Sequence, residues 1–89
     1  MRSISHTGQF KRDYKKRSRD PGLDGLLTLT IENLAAGIPL DAKFRDHPLK
    51  GGYQGCRECH LRPDLLLIYI QTDMELKLVR LGSHSELFA

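Results

Sequence analysis

No stretch of the 89 residues approaches the ~18 apolar positions that a membrane span requires, and the opening MRSISHTGQF carries no apolar run of the signal-peptide kind. These absences predict a cytoplasmic protein without membrane contact. Cysteine is scarce too: the two residues, Cys56 and Cys59, would stay reduced thiols in that compartment rather than form a structural disulfide. No repeat, linker or low-complexity segment interrupts the chain. What it does have is an ordinary soluble composition, 39% hydrophobic against 28% charged, which argues against disorder. A chain of this length has room for one core and buries roughly 60–65% of the surface its unfolded form exposes, so one domain over residues 1–89 is expected.

The net charge of +3 is modest but unevenly spread. Lys11, Arg12, Lys15, Lys16, Arg17 and Arg19 place six cations within nine positions, against Asp13 alone. Such a patch suits a polyanion, because neutralised phosphates release their condensed counterions. The plainer alternative is a solvated helix face.

Ser3, Ile4, Ser5 and His6 read as a short strand, followed by a helix over 9–19 whose Phe10 and Tyr14, four apart, share the inward face. Asp20, Pro21 and Gly22 then signal a turn. Leu23, Leu27, Ile31 and Leu34, widened by Leu26 and Thr30, predict an amphipathic helix over 23–36, capped by Gly37 and stopped by Pro39. The second half changes period. Residues 56–61, 65–72 and 75–82 read as strands joined by tight turns. Helices first and strands afterwards predict an α+β fold, an antiparallel sheet of about four to five strands covered on one face by two N-terminal helices.

Within GCRECHLRPD, Cys56, Cys59 and His60 match the C-x-x-C-H pattern of c-type haem attachment. If 56–61 is a strand, however, Cys56, Glu58 and His60 point one way while Arg57, Cys59 and Leu61 point the other. Two cysteines on opposite sides of a strand cannot hold one porphyrin. Zinc is a second option, since Cys56, Cys59, His60, His47 and His84 supply enough nitrogen and sulfur, but no second ligand pair of the familiar spacing accompanies the C-x-x-C. The reading that needs neither metal nor cofactor starts from Glu58 and His60 on one solvent-facing side, where a carboxylate can orient an imidazole. Asp64 lies at the same corner, and His47 and His84 sit in loops that flank the sheet.

Such a set suits RNA cleavage. The 2′-hydroxyl must lose a proton as it attacks phosphorus, and the departing 5′-oxygen must gain one. Arg80, Lys50 or Arg57 would offset the charge that builds on the phosphate, and Phe88 would stack on a base or, equally, anchor the C-terminus. Any one of these histidines taken alone reads as an ordinary surface residue.

The blocks RDHPLKGGYQGCRECHLRPDLLLIY and RLGSHSELF closely resemble the YafQ-like branch of the RelE/ParE toxin superfamily, through nearly the whole chain. The resemblance implies a RelE-like fold and a ribosome-dependent mRNA endonuclease, the toxin of a type II toxin-antitoxin pair. Its functional positions fall on His47, Glu58, His60, Asp64, His84 and Phe88, with Lys11, Arg12, Lys15 and Lys16 expected to grip RNA. It further implies a DinJ-like antitoxin of the ribbon-helix-helix type, through which the complex binds operator DNA. Two positions depart from the family pattern: Glu58 stands where aspartate is commoner, and Cys56 where an aromatic ring is. A ParE-like topoisomerase inhibitor that cleaves nothing, or a non-catalytic basic RNA-binding domain, are the alternatives.

Overall fold

The computed structural model describes residues 1–88. In chain order it contains β1 (Ser3–His6), α1 (Gly8–Lys16), α2 (Leu23–Ala35), β2 (His47–Pro48), β3 (Arg57–Arg62), β4 (Leu65–Gln71), β5 (Glu75–Gly82) and α3 (His84–Phe88), with 3-10 turns at Ala42–Phe44 and Gly51–Tyr53. The strands form one sheet in the order β1-β5-β4-β3-β2. β3 to β5 pair antiparallel, as the hairpin signals predict; His47 and Pro48, read as loop, add β2 antiparallel at the β3 edge, and β1 joins the β5 edge in parallel, so the sheet is mixed. No turn connects β1 to its neighbour, so nothing local fixed its direction.

Each helix starts and stops for a local reason. The Thr7 hydroxyl accepts from the Phe10 amide at 2.9 Å and caps α1. α1 ends at Lys16, three residues short of the expected Arg19, where the chain turns towards Gly22, whose φ of 78° only glycine adopts freely. α2 closes as expected from its sequence: Gly37 is left-handed, its amide bonds to Leu34 O at 3.2 Å, and the Ile38 amide reaches Asn33 O at 2.9 Å. Among the described residues no helix is long and apolar enough to cross a membrane.

The core has two parts. On one side of the sheet Phe10 of α1 and Leu23, Leu27 and Leu34 of α2 pack on Cys59, Leu61, Leu65, Leu67, Tyr69, Leu76 and Leu78. On the other a smaller cluster joins Cys56, Leu66 and Ile68 to Leu87 of α3. This second cluster makes the far face only partly open. α3 reaches it because Gly82 has no side chain: a Cβ there would come within 3.0 Å of the Glu86 carboxylate and 3.2 Å of Leu87.

β1 accompanies β5 only as far as Leu78, and a bulge follows. Asp13, the lone acid among the cations of α1, takes the place of the missing strand. Only 3% exposed, its carboxylate accepts from the Leu81 amide at 3.0 Å and from Arg80 at 2.8 and 3.3 Å. Burial pushes the Asp13 carboxyl up, but the bonds from Arg80, Leu81 and Gln9 outweigh it and hold the group below its ordinary value.

A folded-state value below the unfolded one means the stabilisation is complete above the unfolded value, near pH 4, and is lost as pH falls through the folded value. Replacing Asp13 by Ala strands Arg80 and the Leu81 amide. We expect a loss of about 2–3 kcal/mol in urea unfolding at pH 7, less than for a wholly buried pair because Arg80 is partly solvated, and a smaller loss at pH 3.

Candidate active site

The register of the antiparallel strands lines up one row of side chains. His47 of β2 pairs with Glu58 of β3, Glu58 with Ile68 of β4, and Ile68 with Arg80 of β5. Residues in register share a face, and this is the face on which Leu87 packs. His60 follows Glu58 at the two-residue repeat. The alternation expected along β3 is therefore present, though Glu58 is 5% exposed rather than solvent-facing. The cluster of Cys56, Leu66, Ile68 and Leu87 closes over that part of the face.

Glu58 Oε2 lies 3.0 Å from His47 Nε2 and 3.6 Å from His60 Nε2, while its Oε1 is buried without a hydrogen-bond partner. The other nitrogen of His47, Nδ1, sits 2.5 Å from the carbonyl of Arg45. A carbonyl can only accept, so Nδ1 carries hydrogen, and Nε2 faces a carboxylate. The Glu58 carboxylate and the outer nitrogen of His47 are thus held against each other. The geometry is set by Arg45, whose left-handed φ of 48° turns its carbonyl towards the ring.

Asp64 and His84 form a second couple. Asp64 Oδ1 accepts from the His84 amide at 3.0 Å and lies 2.8 Å from His84 Nδ1. The His84 amide and ring hold the Asp64 carboxyl below its ordinary value, so it is an ionised acceptor at neutral pH. Nδ1 then carries hydrogen and Nε2 of the neutral ring offers a lone pair. The His84 ring centroid is 5.5 Å from that of His60, which is 6.3 Å from His47. Two carboxylate-imidazole couples thus face each other across His60.

Phe88, 45% exposed, continues the line of rings 6.3 Å from His84 and meets Tyr53 edge-on at 5.4 Å. Tyr53 escaped the sequence reading. Its hydroxyl donates to Leu87 O at 3.1 Å, and Arg80 Nη1 lies 3.5 Å away, so it ties α3 to the row that ends at Arg80. The only local signal was an aromatic ring after two glycines, Gly51 and Gly52.

The remaining expected residues divide. Arg80 shares the histidine face, held by Asp13. Arg57 does not join it: on the opposite side of β3 it pairs with Asp46 at 3.2 Å, where the Tyr69 hydroxyl also donates. That contact anchors the residue before His47. Lys50 is exposed in the loop after β2, and Lys11, Arg12, Lys15 and Lys16 are exposed along α1; among the described residues none of them makes an ion pair.

The cysteines separate as the alternation requires. Cys59 lies in the helix-side core and Cys56 in the cluster on the other face, both as free thiols. Neither belongs to the one set of side chains that could hold a metal among the described residues. In that set single ligand atoms of Glu58, His60 and His84 lie within 4.8 Å of one another. Two imidazoles and a carboxylate with an unpartnered oxygen suit a borderline cation such as Zn²⁺ or Cu²⁺.

The family described as bacterial toxin of type II toxin-antitoxin system, YafQ, matches residues 2–89. The chain is 43% identical over 92 residues to the mRNA interferase toxin YafQ of Escherichia coli (strain K12), covering 99% of this chain and 97% of that one. A metal-bound toxin from Helicobacter pylori superposes with a TM-score of 0.91 at 48% identity, covering 99% of this chain and 100% of that one. The toxin in the E. coli DinJ-YafQ complex superposes at 0.89, with 36% identity and full coverage of both chains.

Burial pushes the Cys59 thiol up to about 12 and raises Cys56 as well. Neither thiol should react with a disulfide reagent in the native protein at pH 8, and both should react once urea unfolds it. A native thiol labelled within seconds would contradict the packing.

Proposed function

Because the chain belongs to the YafQ family of bacterial type II toxins, we propose that its two carboxylate-imidazole couples cut mRNA by acid-base catalysis. The protein is an endoribonuclease toxin of the mRNA interferase kind, and its partner is a DinJ-like antitoxin. Our finer reading is that it acts in the cytoplasm as a single domain on messages held in the ribosome. A ribbon-helix-helix antitoxin then covers the site and carries the complex to operator DNA.

One observation carries the mechanism: His84 and His47, each beside its own carboxylate, both lie next to His60, with ring centroids 5.5 and 6.3 Å from it. His84 Nε2, free because Asp64 occupies Nδ1, takes the proton of the 2′-hydroxyl. The oxygen attacks phosphorus, the bond to the 5′-oxygen breaks, and the products are a 2′,3′-cyclic phosphate and a 5′-hydroxyl. The proton for that 5′-oxygen comes from the Glu58-His47 couple, directly or through His60. Arg80, fixed by Asp13, is the cation on this face that offsets the charge developing on the phosphate. Phe88 is the platform for a neighbouring base, and the exposed cations of α1 contact ribosomal RNA. A scaffold that only blocked a topoisomerase would have no use for either couple.

A second reading concerns metal, because the similar H. pylori toxin is metal-bound and Glu58, His60 and His84 converge here. An ion held by them would supply positive charge to the phosphate. It would also occupy the nitrogens that His60 and His84 need for protons, so we infer that it opposes the acid-base route.

His84→Ala should lower single-turnover cleavage by about 10²- to 10⁴-fold, and Glu58→Gln by a similar factor. Sulfur in place of the bridging 5′-oxygen leaves without a proton. It should restore cutting by Glu58→Gln but not by His84→Ala. Rescue of His84→Ala instead would exchange the two roles.

Protein treated with a chelator should cut at the untreated rate, and excess Cu²⁺ should suppress cutting. Activity abolished by chelation and restored by metal would end the metal-free mechanism.

A further inference from the structure

A cleft of about 420 Å³ opens beside the histidines, between α2, the 3-10 turn Ala42–Phe44 and the end of β3. Its volume falls in the range of small-ligand sites, about 300–1,000 Å³. Leu26, Phe44 and Leu61 give it an apolar floor, and His60 forms part of its wall. The cleft exists because β2 is two residues long and pairs only with Arg57 and Glu58. Beyond Glu58 the outer edge of β3 has no strand beside it among the described residues.

The charges around the cleft are not equivalent. Arg62 is held by Asp20 at 2.5 Å and by the Pro21 carbonyl at 2.9 Å. Lys43 and Arg45 line the cleft and are exposed, and among the described residues neither side chain makes an ion pair. The Lys43 ammonium lies 5.6 Å from the centre of the Phe44 ring. The cleft therefore combines an aromatic floor with two uncompensated cations, and it shares His60 with the candidate active site.

We propose that this cleft is a nucleotide subsite: it receives the base of a nucleotide adjoining the scissile phosphate, while Lys43 and Arg45 hold that nucleotide's phosphate. The inference rests on the nuclease reading and extends it, naming single-stranded RNA with a splayed base as the ligand. The Lys43 ammonium lies over the Phe44 ring, and when it turns to a phosphate it uncovers an aromatic face that accepts any base by stacking. A strand running from Phe88 over His84 and His60 reaches the cleft by passing round the open outer edge of β3. An extended segment of a protein partner is the competing occupant. The unpaired cations and the aromatic floor favour the nucleotide, because they match a phosphate and a base together.

The test compares the full-length protein with Lys43→Glu, which alters an exposed side chain, and Phe44→Leu, which keeps an apolar group against the core but removes the stacking face. Each is assayed on ribosome-bound message and on a short single-stranded RNA, with cut sites mapped by 5′ ends. KM should rise about tenfold in both variants while kcat stays within about twofold, and Phe44→Leu should flatten the base preference at one fixed position beside the cut. Unchanged KM and unchanged preference in both variants overturn the subsite. Unchanged cutting together with weakened binding of the antitoxin also overturns it, in favour of a protein-docking edge. If the parent protein cuts no RNA the nuclease reading itself fails. The subsite is then judged by titrating an RNA of the same sequence, blocked by a 2′-deoxy nucleotide, against the amide signals of Lys43, Phe44 and Leu61. Movement of those signals upholds it and their stillness overturns it.

Discussion

A carboxylate taken almost wholly out of water must find protons or cations nearby, because an isolated buried charge costs several kcal/mol. Glu58 is in that position, and its neighbours in the sheet are His47 across the strand pair and His60 two residues on. The buried acid therefore binds the two imidazoles to one place more firmly than exposed side chains of such reach could bind themselves. Its second oxygen is left without a partner. The buried acid and the two rings beside it therefore hold one another in place.

The rest of the fold holds this cluster from behind. Residues adjacent in sequence to the working ones reach through or round the sheet to anchors on the other side. Asp46, next to His47, is gripped by Arg57 and Tyr69. Asp13 of α1 fixes Arg80 and caps the exposed edge of β5. Glu86, two residues after His84, accepts from the Ser83 amide at 2.8 Å and from Arg17 at 2.5 Å, which pins the short α3 to the end of α1. Only the Asp13 contact reaches a proposed catalytic group directly, Arg80; the others grip neighbouring residues. Each removes freedom from a segment that carries one of its groups, and pre-placed groups are what acid-base chemistry requires.

Much of this was legible in the chain because it depends on local periods. The two-residue repeat along β3 separates Cys56 from Cys59 and joins Glu58 to His60. The helical stripe of Leu23, Leu27 and Leu34 marks the face that packs on the sheet. What escaped has no local signature. α3 is five residues long, too short for a period to declare itself, yet its Leu87 packs on Cys56, Leu66 and Ile68 and covers part of the far face. The bond between Asp13 and Arg80 spans 67 positions, so the acid within a basic run read as an exception rather than a latch. Alternation along β3 already turned Arg57 away from Glu58 and His60, whereas only the register of β4 and β5 puts Arg80 on the histidine face.

Under the proposed function, the distribution of charge separates cutting from gripping. At the centre, Glu58 and Asp64 offset much of whatever charge the three histidines carry, so the cluster attracts RNA weakly by itself. The uncompensated cations lie outside it, on the exposed face of α1 and at Lys43 and Arg45. Counterion release at those outer sites supplies affinity without touching the reacting phosphate. The ring line from His47 to Phe88 then only has to orient a strand already held elsewhere. A small enzyme arranged in this way gains most from a substrate fixed on a large surface that its outer cations can recognise. Under the proposed function, this arrangement favours messages held in the ribosome over RNA free in solution.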